Sequence, residues 1–166
     1  MKGFLGFAVV GAIAVTAGAL AAERQISEES VRSAIESFLQ NPTAPSEQVN
    51  TIVMFSVESD AVKVVIDTDV CCTWLRADKK YEHAGLLLVA FTAGNVRSQL
   101  DSGVCRDDPY SGLIAVFRVY RHLKQANPAL TIPEVEKLLE LHRQGKLTEH
   151  LAKEKARAAT GKKQEN

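Results

Sequence analysis

The chain has 166 residues, 20 of them Lys or Arg and 20 of them Asp or Glu, so its formal net charge is zero. A protein that coats DNA or RNA needs a basic excess, and a disordered acidic protein would not be 46% hydrophobic. Three cysteines are too few for a small domain held together by several disulfides. The composition therefore predicts one small globular domain without a nucleic-acid partner.

The first 21 residues have the pattern of a secretory signal peptide. Lys2 carries the only charged side chain, an apolar run covers 4–20, and Ala19 and Ala21 fit the small-residue cleavage site. A retained membrane helix is the alternative, and only then is a membrane contact expected. Cleavage of 1–21 would leave an exported domain of residues 22–160, periplasmic or secreted, with a disordered tail at 161–166.

The first predicted helix covers Ser27–Gln40. Ser27 can accept a hydrogen bond from the first turn, and Asn41-Pro42 ends the helix. The apolar residues fall at helical spacing: Val31, Ala34, Ile35, Phe38 and Leu39. They form one stripe that a core would cover.

The next stretch has two interpretations. Val49, Ile52 and Val53 keep helical spacing, and they favour a helix over 46–58 followed by a short extended segment over 61–66. However, apolar residues between Val49 and Val57 also alternate as in a strand. A β-hairpin within 49–66 that turns at Ser59-Asp60 is therefore the alternative.

A long helix is predicted over Tyr81–Asp101. Its front half, 86–91, is apolar all round, which predicts a central position in the core. Gly103 is placed to end the helix in a left-handed conformation. Asp108 then precedes Pro109 as the N-cap of a further helix that continues to Asn127.

Two more helices complete the chain. Thr131 and Glu134 have the spacing of a capping box, which predicts a helix through Arg143 that Gly145 ends. The last helix is predicted from Thr148. The fold class is accordingly mainly α, a compact bundle of five to six helices.

One part of the chain resembles a helical hairpin of the tetratricopeptide family. The resemblance covers about 36 residues and rests on Ala93-Gly94-Asn95, Leu100, Gly103, Tyr120 and Asn127-Pro128. In that family a small-Gly-Asn step lets two helices pack closely, and a Tyr precedes the helix-ending Pro by eight residues. The connecting loop is longer here, and no second copy follows. The resemblance implies a single α-hairpin packing module rather than a stacked array, which needs about three repeats.

The three cysteines predict a structural disulfide. Cys71 and Cys72 precede the long helix, Cys105 follows it, and adjacent cysteines rarely bond to each other. A bridge from Cys105 to Cys72, or to Cys71, would contribute about 3–4 kcal/mol. Three reduced cysteines are the first alternative, and a metal site or nucleophile that uses a cysteine with His83 is the second.

The sequence carries no recognisable catalytic motif. There is no Gly-x-Ser-x-Gly elbow, no phosphate-binding glycine loop and no His-Glu-x-x-His pair. No catalytic, cofactor-binding or metal-binding residues are predicted, and the protein is not expected to be an enzyme.

The predicted interaction surface consists of Arg97, Arg118, Arg121 and Trp74. The arginines would form a local basic patch, for which an ordinary solvated face is the alternative. Trp74 is the single tryptophan and would anchor a partner, unless it covers the disulfide.

Three functional classes follow from this pattern. The first is an exported helical protein that binds a protein partner in the cell envelope or outside the cell. The second is a small-ligand-binding domain whose pocket is lined by the apolar face of a helix over 83–100. The third is an enzyme that uses a free thiol with a histidine.

Overall fold

The computed structural model describes residues 26–43, 47–76, 78 and 80–161. Within them the fold is mainly α, as predicted, and no β-strand is formed. The elements are α1 (Glu28–Gln40), α2 (Glu47–Glu58), a short 3₁₀ helix (Thr73–Leu75), α3 (Ala84–Ser102), α4 (Pro109–Ala126), α5 (Pro133–Arg143) and α6 (Leu147–Gly161). Segment 1–21 and all but the first residue of the predicted tail at 161–166 lie outside this range. None of the described helices is long and apolar enough to span a membrane.

The helix ends follow local capping chemistry at most positions. The Ser30 N–H donates to Ser27 Oγ at 3.1 Å, and the Ser111 N–H donates to Asp108 Oδ1 at 3.2 Å, so both predicted N-caps are confirmed. Gly103 has a φ of 65° and ends α3 in the predicted left-handed conformation.

The predicted capping box at Thr131 is wrong. Pro133 takes the first helical position of α5, which makes Ile132 the N-cap, and Ile132 gives no side-chain cap. The Thr131 hydroxyl instead donates to the Ala129 carbonyl at 3.5 Å. The proline therefore moves the start of α5 two residues past the threonine.

The stretch with two interpretations is resolved in favour of the helix. α2 covers Glu47–Glu58, and the alternative of a β-hairpin within 49–66 is wrong. The buried side chains of α2, Ile52 and Phe55, lie three residues apart on one helical face. Burial of this face decides between two periodicities that the sequence supports almost equally.

Residues 62–67 are neither helix nor paired strand. The Lys63 N–H donates to Gln99 Oε1 at 2.8 Å, and Gln99 Nε2 donates back to the Lys63 carbonyl at 2.8 Å. The Val65 N–H donates to Asp107 Oδ1 at 2.9 Å. The N–H groups of alternate residues, Lys63 and Val65, thus donate in the same direction, as in an extended chain. Side-chain oxygens accept these hydrogen bonds where a neighbouring strand would accept them in a sheet.

The centre of the molecule is the contact between α3 and α4, the most extensive between any two described elements. The predicted central position of the long helix is confirmed, and its fully buried stretch lies about one turn beyond 86–91. Leu86, Leu88 and Val89 are only partly buried, whereas every residue of 90–96 is buried. The reason is that α4 crosses α3 at Gly94.

Candidate functional site

An open groove of about 600 Å³ lies where α1, α3 and α4 meet. Its apolar part is formed by Leu39 of α1, Gly94 of α3, and Ile114 and Ala115 of α4. Ile114 keeps 37% of its surface exposed, although it lies on the same apolar stripe as the buried Leu113 and Phe117. The apolar stripe of α4 is therefore wider than the part of it that the neighbouring helices cover.

Small residues create the groove because they bring two helices close together. A Cβ atom on Gly94 would lie 2.7 Å from the Ala115 Cβ and would collide with the Ser111 carbonyl oxygen. A Cβ on Gly112 would lie 2.7 Å from the ring of Phe91. The helices thus touch through backbone and Cβ atoms, and the short side chains along the contact leave a trough above it.

A chain of ion pairs forms one side of the groove. Arg97 Nη1 lies 3.0 Å from Glu36 Oε2, and Arg97 Nε lies 3.8 Å from Asp101 Oδ2. Arg32 pairs with the other side of the Asp101 carboxylate. The ion pairs link α1 to α3, but each is solvent-exposed and therefore contributes little to stability.

Arg118 of α4 also lines the groove and is exposed. Among the described residues it has no hydrogen bond or ion pair. Hydrogen bonding from Gln40, together with the charges of Arg97 and Arg118, holds the pKa of Glu36 below its ordinary value. Arg118 is thus close enough for its charge to lower the pKa of Glu36. The N–H donors of its guanidinium have no acceptor within the described residues, and the planar arrangement of these donors suits a carboxylate.

The structure brings together two of the four residues of the predicted interaction surface. Arg97 and Arg118 line the same groove, and Arg121 is exposed one turn further along α4 but is not part of the lining. Trp74 is fully buried, so the prediction that it anchors a partner is wrong. It packs inside the protein next to the cysteine pair.

The predicted disulfide between Cys105 and Cys72, or Cys71, is not formed. All three cysteines are free, the adjacent pair is buried, and Cys105 is exposed. The Cys105 thiol lies 3.6 Å from the Asp60 carbonyl oxygen, to which it donates. The loops that carry the cysteines are instead held by hydrogen bonds such as that of Val65 to Asp107.

The apolar part of the groove is not predicted from the sequence. The sequence pattern places Leu39 in a buried stripe and Asp101 at a helix end, although both line the groove together with Ile114. The sequence does indicate that Ile114 and Arg118 share one face of α4, because they lie four residues apart. What the sequence does not reveal is that this face remains partly uncovered.

Two buried polar residues near the groove have structural roles. The Asn95 amide nitrogen donates to Asp107 Oδ1 at 2.7 Å, and its oxygen accepts from the Asp108 N–H at 3.0 Å. The same oxygen accepts from Gln99 Nε2 at 2.6 Å. Their amide groups are thus engaged in holding the loops around α3.

Within the described residues, no three His, Cys, Asp or Glu side chains lie close enough together to hold a metal ion.

Comparisons with known proteins assign no family to the chain. Protein-family models, curated proteins and solved structures gave no match to the chain. The tetratricopeptide resemblance stays a prediction about α3 and α4.

Proposed function

We propose that the protein is an exported protein-interaction module whose groove binds a short segment of a partner that carries one large apolar and one acidic side chain. The observation that carries this proposal is the position of Arg118, a cation without a partner among the described residues, beside the apolar part of the groove. Export is inferred from the signal-like pattern of 1–21 alone.

The apolar side chain would lie over Leu39 and Ile114. Covering an exposed Ile side chain completely contributes up to about 1.5–3 kcal/mol, and Ile114 is already partly buried, so the gain is smaller. Gly94 and Ala115 beneath it present no bulky side chains. This part of the site would supply affinity with little selectivity between Leu, Ile, Met and Phe.

The acidic side chain would pair with Arg118. The other arginine that lines the groove, Arg97, is already paired with Glu36 and Asp101. A carboxylate that approaches the groove therefore meets one available guanidinium, and a bidentate pair fixes its orientation. Because the pair is near the surface, we expect affinity to fall as the salt concentration rises.

The test is selection of peptides from a displayed random library against residues 22–166. We expect the selected peptides to share an acidic residue near a large apolar residue, and their affinity to fall about 10-fold or more with Arg118→Glu, since a charge-assisted hydrogen bond contributes about 1.5–3 kcal/mol. Arg121→Glu is the matched control, because it makes the same charge change on an exposed arginine of α4 outside the groove.

Equal loss of affinity with both variants would show that only the overall charge matters and would contradict binding in the groove. Unchanged affinity with Arg118→Glu would do the same. Ile114→Ala tests the apolar part separately, and it should weaken the same peptides without changing their requirement for an acidic residue.

The alternative function is binding of a small apolar acid. The observation that favours it is the groove volume of about 600 Å³, within the range of about 300–1,000 Å³ typical of small-molecule sites. Native mass spectrometry of the purified protein separates the two functions. A co-purified mass that Arg118→Glu removes and Arg121→Glu keeps would support the small ligand.

A further inference from the structure

Two adjacent thiols face each other between α2 and α3. Cys71 Sγ and Cys72 Sγ lie 3.9 Å apart, and the side chains are 2% and 0% exposed. A disulfide has an S–S distance of about 2.05 Å, so this is a contact between two reduced thiols. The third cysteine, Cys105, is exposed and has its own partner in the Asp60 carbonyl.

A tight turn holds the pair in place. The N–H groups of Cys71 and Cys72 both donate to the Asp67 carbonyl, at 3.1 and 2.7 Å. The carboxylate of Asp67 accepts from the N–H groups of Asp69 at 2.9 Å and Val70 at 3.0 Å. Four backbone donors thus converge on one residue, and the turn fixes both sulfur atoms within reach of each other.

The two sulfur atoms are chemically unequal. The hydrogen bond between the two thiols holds the pKa of Cys71 below its ordinary value. The same hydrogen bond and burial raise the pKa of Cys72. Cys71 therefore loses its proton first, and Cys72 remains a thiol that stabilises the thiolate.

We propose that Cys71 and Cys72 form a peroxide-reactive dithiol, in which a small hydroperoxide oxidises the pair to a disulfide between adjacent residues. The Cys71 thiolate attacks one peroxide oxygen, the O–O bond breaks, and the Cys71 sulfenic acid and one molecule of water or alcohol form after protonation. Cys72 sulfur then attacks the Cys71 sulfur, and the sulfenic oxygen leaves as water with the Cys72 proton. The pair loses two electrons, and the peroxide gains them.

Burial determines which oxidants reach the pair. Hydrogen peroxide is about the size of water, whereas an aromatic disulfide reagent needs an exposed sulfur. Asp69, Val70 and Thr73, which flank the pair in the chain, border an open groove between this region and α5 and α6. We therefore expect peroxide to react with the pair in the folded protein and bulky thiol reagents to react only with Cys105.

The disulfide that forms is expected to be easily reduced. Consecutive Cα atoms are about 3.8 Å apart, shorter than the separation of about 4.4–6.8 Å that unstrained disulfides require. The strain explains why adjacent cysteines seldom form permanent bridges. It also makes the reaction reversible, since strained disulfides are the labile ones.

The test uses the full chain with Cys105→Ser, which removes the exposed thiol. After brief exposure to hydrogen peroxide and denaturation without reductant, we expect the number of labelled thiols to fall from two to none and the intact mass to decrease by two hydrogen atoms. Dithiothreitol should restore both thiols. A product with added oxygen and one remaining thiol, a covalent dimer, or no reaction would each overturn the proposal.

Two further variants assign the roles of the sulfur atoms. In Cys72→Ser with Cys105→Ser, the sulfenic acid on Cys71 cannot be resolved, and dimedone should trap it. In Cys71→Ser with Cys105→Ser, Cys72 should form no sulfenic acid, and dimedone should trap nothing. Circular dichroism shows whether each variant is folded, and trapping of Cys72 in a folded protein would contradict the assignment.

Discussion

The hairpin of α3 and α4 and the connection over 59–83 represent two ways to stabilise a short chain segment. The hairpin is held by helical hydrogen bonds, by caps at Gly103 and Asp108, and by close contact at Gly94. The connection contains only a three-residue 3₁₀ helix as regular structure among its described residues. Its backbone is held by side chains of α3 and of the loop after it, and by the side chain of Asp67 within the connection.

The difference between the two regions shows which single substitutions should reduce stability in each of them. In the hairpin, one Gly position decides how closely two backbones approach, so an added methyl group displaces a whole helix. In the connection, one amide side chain satisfies two backbone groups that would otherwise find a partner in a sheet. Packing therefore controls the first region, and hydrogen bonding controls the second.

The largest effect is expected for Gly94→Ala. The added Cβ would meet the Ser111 carbonyl and lie 2.7 Å from the Ala115 Cβ, neither of which can rotate away. We expect the free energy of unfolding to fall by about 1–3 kcal/mol, measured by chemical denaturation.

Gly85→Ala is the matched control in the same helix. Apart from its chain neighbours and the backbone of its own helix, no atom of the described residues lies within 4 Å of a Cβ built at this position. Replacing Gly by Ala there should stabilise the protein by about 0.4–1 kcal/mol through the unfolded state. If both substitutions changed stability in the same direction, close packing would not be what distinguishes Gly94.

The second effect is expected for Gln99→Ala, which removes the side chain that bonds both backbone groups of Lys63. The loss should be about 1–3 kcal/mol, because partners in a partly buried region become unsatisfied. Hydrogen exchange gives a local measurement, and the Lys63 amide should lose protection more than the amides in the middle of α4.

Gln144→Ala is the control for this substitution. Gln144 is exposed and makes one side-chain hydrogen bond, to Glu140 at 2.9 Å. Its loss should change stability by less than about 0.5 kcal/mol. Protection of Lys63 that survives Gln99→Ala would mean that the connection has another source of order.

The smallest effect is expected for Asp108→Asn, and it should depend on pH. Burial raises the pKa of Asp108, but hydrogen bonds from Ser111, Ser98 and the Tyr110 N–H outweigh it and leave the pKa below its ordinary value. The carboxylate therefore stabilises the fold above the unfolded pKa of about 3.9, and this contribution is lost as the pH falls through the lower folded pKa.

At pH 7 the variant should lose about 0.5–1 kcal/mol, since Asn also caps helices. The difference from the wild type should shrink as the pH is lowered below about 4. Asp60→Asn is the control, because the Asp60 side chain is exposed and makes no hydrogen bond with the described residues. A constant difference across the titration would show that the Asp108 charge does not matter.

The hairpin was largely predictable from the sequence, and the connection was not. Gly103 and Asp108 of the hairpin act over one turn, as does Ser27 at the start of α1, so such patterns determine helix ends without knowledge of the fold. Lys63 depends on Gln99, which lies 36 residues away, and no local pattern reveals such a bond. The choice of a helix for α2 likewise depended on which face became buried.

The candidate site was predicted in part for the same reason. Arg97 and Arg118 were identified from charge, which is visible in the sequence. The apolar part was missed because exposure of Ile114 depends on how far α1 extends over α4. Trp74 was misplaced because tryptophan is common at both interfaces and cores, and only packing separates the two.

The chain contains one tryptophan, and it lies in the connection rather than in the hairpin. Intrinsic fluorescence excited at the indole band therefore reports on the surroundings of Trp74 alone, whereas the helices α1–α6 of the described residues contribute strongly to the far-ultraviolet circular dichroism. The two signals therefore report on different regions of the molecule in the same denaturation experiment. Coincident transitions would show that the connection and the hairpin unfold as one cooperative unit, and separate transitions would show that each has a stability of its own.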